Sequence, residues 1–144
     1  MRAKLFLTTI LLCSFFVSNA QTKYLKNTDE VRNLTKKATG YFQDNKIPAF
    51  FDEIKNYWPA PENELIALEE KTIKYINILE DRFGKSGEIV KVNEETIKDF
   101  ALRETYILKF EHSAIRLKFT YFRNVNGWIL NAFKWDDSFE QEFK

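Results

Sequence analysis

Apolar side chains return every three or four positions through the first half of the chain, and at every second position through much of the rest. The first spacing belongs to helices with one buried face, the second to strands. Asn27, with Glu30 three residues on, has the chemistry of a helix N-cap; Val31, Leu34, Ala38, Tyr41 and Phe42 follow on one face, predicting a helix to about Asn45. Pro48 suits the first turn of a second, short helix, in which Phe50, Phe51, Ile54, Tyr57 and Trp58 make an aromatic stripe that reads as core. A third helix is expected from Pro61, with Glu62 and Glu64 near its positive end, Leu65, Leu68, Thr72, Tyr75, Ile76, Leu79 and Phe83 on one face, and Gly84 as its stop.

Alternation is weak over residues 88–92 and clear over 100–110, 115–123 and 128–135. Helices followed by strands indicate an α+β domain, with three N-terminal helices packed on a curved antiparallel sheet of about four strands. Asn124-Val125-Asn126-Gly127 reads as a type I turn closed by a left-handed glycine, pairing Asn124 with Trp128, and His112-Ser113 as a tighter loop pairing Glu111 with Ala114. A final helical turn over residues 138–144 would dock Phe139 and Phe143.

Because strand side chains alternate, these turns assign every residue to a face. One face receives Phe100, Leu102, Glu104, Tyr106, Leu108 and Phe110, then Ile115, Leu117, Phe119 and Tyr121, then Ile129, Asn131, Phe133 and Trp135. The other receives Arg103, Thr105, Ile107, Lys109, Arg116, Lys118, Thr120, Phe122, Trp128, Leu130, Ala132 and Lys134, cations mixed with apolar groups. In this register Glu104, Tyr121 and Asn131 form a polar row across the apolar face, with Tyr106 beside it. A carboxylate in such a place must find a partner, take a raised pKa or stand at a wet rim. These four residues are the candidate ligand-binding set, suited to orienting a small, mainly apolar molecule.

The 144 residues, 44% hydrophobic and 30% charged with four glycines and three prolines, fit one folded domain. Arg2 and Lys4, the apolar run from Leu5 to Val17 and the small residues of Ser18-Asn19-Ala20 have the form of an export signal. The expected organisation is a leader over 1–20, cleaved after Ala20, and a domain over 21–144, placed in a periplasm or secreted. The leader would take the only cysteine, Cys13, with it, leaving no disulfide. No stretch reaches the roughly 18 apolar residues of a membrane span. The formal charge of +1 gives no field for nucleic acid.

The order of elements, with Gly127-Trp128 at a hairpin and the run Gly127-Trp128-Ile129-Leu130-Asn131-Ala132-Phe133-Lys134-Trp135-Asp136-Asp137 followed by Phe139 and Phe143, resembles the nuclear transport factor 2-like, or cystatin-like, superfamily, in particular its small exported bacterial members of unknown function. The resemblance implies a cone with a pocket between sheet and helices, used by some members for isomerase or dehydratase chemistry and by others for binding or dimerisation. Enzymatic members use Asp or His dyads there, whereas the single His112 falls at a hairpin tip.

No nucleophile elbow, phosphate loop or dinucleotide fingerprint occurs, and the acidic pairs Glu69-Glu70, Glu94-Glu95 and Asp136-Asp137 read as solvated surface and not as a metal set. No cofactor or metal is expected. The leading expectation is a non-catalytic exported domain that binds a small apolar ligand or a second copy of itself. The alternatives are a pocket enzyme with Glu104 as general base and Tyr106 or Tyr121 as oxyanion donor, and an inhibitor-like module for an extracytoplasmic protein.

Overall fold

Asn27 caps the first helix as its sequence requires: its Oδ1 accepts from Glu30 N at 2.9 Å, and Glu30 Oε2 reaches back to Lys26 N at 2.8 Å. The computed structural model describes residues 21–143. The expected leader over 1–20, with Cys13 and the cleavage point after Ala20, lies outside the described residues. Helix α1 spans Thr28–Gln43, α2 spans Ile47–Ile54 and runs into a 3-10 turn, and α3 spans Glu62–Phe83. Strands β1 (Ser86–Ile97), β2 (Ala101–Phe110), β3 (Ala114–Asn124) and β4 (Gly127–Asp136) form one antiparallel sheet in the order 1-2-3-4. Three helices with a four-stranded open sheet make an α+β domain. Among the described residues no helix is long and apolar enough to cross a membrane.

The core lies between the helices and one sheet face. Phe42 of α1, Phe50 and Phe51 of α2, Phe119 of β3 and Phe133 of β4 are all buried, and Phe50 meets Phe42, Phe51, Phe133 and Phe119 at centroid separations of 5.0, 5.1, 4.8 and 6.0 Å. Most of these contacts are edge-to-face or tilted, the arrangement ring quadrupoles favour. Helix α3 is held near the end of β4, where Trp135 Nε1 donates to Thr72 Oγ1 at 3.0 Å and the Trp135 ring stacks on Tyr75 at 4.2 Å.

Both hairpin registers differ from expectation. Phe110 N donates to Ser113 O, so Lys109 and not Glu111 stands opposite Ala114. The shift is two residues, so the faces survive, but Glu104 now faces Phe119 and Tyr121 faces Leu102. At the β3–β4 turn Asn124 pairs with Gly127, and the extra residue of β4 is Asn131, between Thr120↔Ala132 and Tyr121↔Leu130. That bulge reverses parity only on the hairpin side of Asn131. Trp128 and Leu130 therefore enter the core, Asn131 turns to the outer face, and Phe133 still points inward. Burying two large apolar groups is worth several kcal/mol, which selects this register over the regular one. Phe100, expected inward, precedes β2 and is exposed on the outer side against Phe122.

The C-terminal turn forms over Phe139–Glu142, but Phe139 and Phe143 are both exposed. It is docked by Glu142, whose Oε1 accepts from Arg116 at 2.8 Å. Ahead of α1, Leu25 pairs with Trp128 through two backbone hydrogen bonds of 2.8 and 2.9 Å. Gly127, at φ 136°, lies so close to this segment that a Cβ would fall 2.6 Å from Leu25 O. Gly127→Ala should cost about 2 kcal/mol or more in urea denaturation, combining backbone strain with that overlap; a loss under about 0.5 kcal/mol would contradict the pairing.

Candidate functional site

Strand β1 carries many charged residues and has a broken alternation because it also contains a bulge. Lys91 stands opposite Tyr106 and Asn93 opposite Thr105, leaving Val92 as the extra residue. In an unbroken strand Lys91 and Glu94, three apart, would point to opposite faces. The bulge brings them together, so the Lys91 ammonium binds both Glu94 Oε2 and Glu104 Oε1, the latter at 2.5 Å. Glu94 and Glu104 are direct cross-strand neighbours, a like-charge pair that would repel without the cation between them. Arg32 of α1 completes the chain, donating to Glu94 at 2.7 Å and to Asp29 at 2.9 Å.

Glu104 has no exposed surface, and its second oxygen, Oε2, receives no hydrogen bond from any described residue. Of the outcomes open to a carboxylate on the apolar face, this one has found a partner for half of its acceptor capacity. Beside it the Tyr106 phenol is nearly buried; its pKa is raised by that burial, then by the Glu104 charge and by a weak side-chain hydrogen bond to Glu104 that falls outside ordinary length and angle. Burial works against the Lys91 ammonium, but its hydrogen bonds to Glu104 and Glu94 outweigh this, and its pKa lies above the usual lysine value. The Arg32 hydrogen bond, assisted by Lys91, holds Glu94 down at about 2.

These groups border a cleft of about 440 Å³ between α1 and the β1–β2 pair. Arg32, Lys36, Thr39 and Gly40 line the helix side, and Ile89, Lys91, Glu104 and Tyr106 the sheet side. A Cβ at Gly40 would meet nothing within 4 Å, so the helix leaves open space there. Gln43 closes the end, its Oε1 accepting from Ile89 N at 3.1 Å.

Only part of the sequence-derived set converges here. Glu104 and Tyr106 line the cleft. Tyr121 is fully buried and committed to Thr35 at 2.8 Å; because the Thr35 hydroxyl donates to Val31 O, the phenol is the donor to Thr35 Oγ1. Burial raises its pKa, and the Glu104 charge adds to that rise. Asn131 is corrected outright: the β4 bulge places it on the other face of the sheet, away from Glu104 and Tyr121. Lys91 and Arg32 are additions to the sequence-derived set, and Glu94 and Asp136, expected as solvated surface, both sit in ion-pair networks. Their signal was the strong charge of β1 beside an inward-facing glutamate. Among the described residues no group of His, Cys, Asp and Glu is placed to hold a metal.

No family model, curated protein or solved structure matches the chain.

The Glu94 carboxylate sets a pH dependence. Its pKa is about 2 in the fold against an ordinary 4.5, so its contribution is present above about 4.5 and is lost as pH falls towards 2. Glu94→Gln should lower stability at pH 7 by about 1 kcal/mol, given partial solvent screening, and flatten the decline of the urea midpoint between about pH 5 and 2. An acid limb identical to that of the parent would remove Glu94 from the network.

Proposed function

We propose that this chain is an exported, non-catalytic binding domain of the cystatin-like cone type, and that its ligand occupies the cleft between α1 and the β1–β2 pair. The observation that carries this reading is Glu104 Oε2: a buried carboxylate oxygen with no donor, beside a cleft of ligand size. Leaving such an oxygen unpaired is costly for the fold, and a donor brought by a ligand offsets that cost. The ligand is a small, mainly apolar molecule with one hydroxyl or amino group. The donor reaches Glu104 by displacing lining side chains, since the carboxylate has no exposed surface, and the apolar body lies along Ile89, the Tyr106 ring and the open side of Gly40. Export rests on the leader-like run of residues 1–20, and the cone on the bulges of β1 and β4, which bend strands.

The pocket-enzyme alternative draws less support. Tyr121, one of its two oxyanion donors, is spent on Thr35, and Glu104 is already an acceptor for Lys91. Self-association is favoured by one separate observation: Ile97, Phe100 and Phe122 are exposed together at one end of the sheet.

Gly40→Leu separates binding from folding, because it fills the cleft without touching the Glu104 pair and replaces a helical glycine by a better helix former. Native mass spectrometry of gently purified protein should show a small adduct on the parent and none on Gly40→Leu or Glu104→Gln, with the Gly40→Leu variant at least as stable. The same spectrum reads monomer or dimer. A bare parent that also shows no thermal shift with 1-hexanol or hexylamine would reject the cleft as the binding site.

A further inference from the structure

On the opposite face of the sheet, Lys118 of β3 and Lys134 of β4 are direct cross-strand partners. Like charges in that position destabilise a sheet, so this pair conflicts with local stability. Arg103 of β2 stands in the adjacent row, opposite Thr120, which is opposite Ala132. The β4 bulge turns Asn131 to this same side. Together these groups line a groove of about 420 Å³, continued by Arg116 and Asp136.

The groove is rich in donors, and its single carboxylate is already used. Asp136 accepts from Arg116 at 3.0 and 2.9 Å and from Ser138 N at 2.9 Å. Among the described residues Lys134 has no ion-pair partner, while Arg103 and Lys118 have only long ones, both at 3.6 Å, to Glu95 and Glu142 respectively. The chain itself demonstrates the chemistry at one end: Glu142 Oε1 sits 2.8 Å from the buried Arg116 guanidinium and 3.6 Å from Lys118 Nζ, a carboxylate seated on this cation set.

We propose that this groove is a second binding site, for a small molecule carrying two or more oxyanion groups, carboxylate or phosphate. One group bridges Lys118 and Lys134 and relieves their repulsion, and a second reaches Arg103, with the Thr120 hydroxyl and the Asn131 amide donating between them. The site lies on the face opposite the cleft and does not depend on the function proposed for it.

Titration with citrate and, separately, pyrophosphate, each carrying more than one oxyanion group, at ionic strength held constant with sodium chloride, tests the site by amide NMR. Saturable shifts are expected at Thr120, Asn131 and Ala132, with a dissociation constant below about 1 mM for at least one of the two anions. The tighter of the two identifies the oxyanion class. Lys134→Gln should weaken binding about tenfold, as expected for loss of one charge-assisted hydrogen bond, while leaving the unliganded protein at least as thermally stable because a like-charge pair is gone. Three results would overturn the proposal: shifts that do not saturate with either anion, equal affinity in Lys134→Gln, or a Lys134→Gln variant that is less stable than the parent without anion.

Discussion

A carboxylate with no exposed surface, on the apolar side of a sheet, is the constraint around which the rest of this structure is arranged. Glu104 faces Phe119 across β2–β3 and Glu94 across β1–β2, so neither strand neighbour compensates its charge. Compensation comes from Lys91 alone, and Lys91 reaches it only because Val92 is bulged out of β1. Buried ion pairs seldom add net stability, since desolvation consumes most of the Coulombic gain. Here one oxygen also lacks a donor. The binding role proposed above would use such an arrangement, the unmet hydrogen bond being completed by something other than the fold.

Two bulges divide the chemistry of the molecule. The one at Val92 gathers Lys91, Glu94 and Glu104 at the cleft on the helical side. The one at Asn131 lets β4 bury Trp128, Leu130 and Phe133 together, and it sends an amide to the outer groove with Lys118 and Lys134. Each inserted residue breaks strand parity once, so a single strand serves the core along one stretch and a polar surface along the next. The outer face is not uniformly wet. Thr105, Ile107 and Arg116 are buried there, and Arg116 is clasped by Asp136 and Glu142 of the C-terminal segment.

The helical half was legible because its signals are local. Asn27 with Glu30, Pro48 and Gly84 mark boundaries through capping, φ restriction and left-handed geometry, which depend on a few adjacent residues. The segregation of helices and strands gave the α+β class, and parity placed Glu104, Tyr106 and Tyr121 on the covered face. What failed was register, which is a long-range property. The inward groups Trp128, Leu130, Phe133 and Trp135 are spaced two, three, two around Asn131, but the equally apolar Ile129 between them also fits the regular parity. Uniform alternation hid the bulge and drew Asn131 inward. Lys91 was invisible for the same reason, because its charge reaches the site only through an extra residue in a strand whose apolar positions, Ile89, Val90 and Val92, do not alternate cleanly.

The central claim, that the Glu104 charge is kept for a ligand and not for the fold, is tested most directly by comparing the urea stability of Glu104→Met and Lys91→Met with the parent at pH 7. Methionine at 104 fills a similar volume without a buried charge, and Lys91 keeps Glu94 and contact with solvent. The account predicts that Glu104→Met is at least as stable as the parent, whereas Lys91→Met, which strands the carboxylate, loses about 2–3 kcal/mol. A Glu104→Met protein destabilised by about 2 kcal/mol or more would show that the buried pair is structural and would contradict the account.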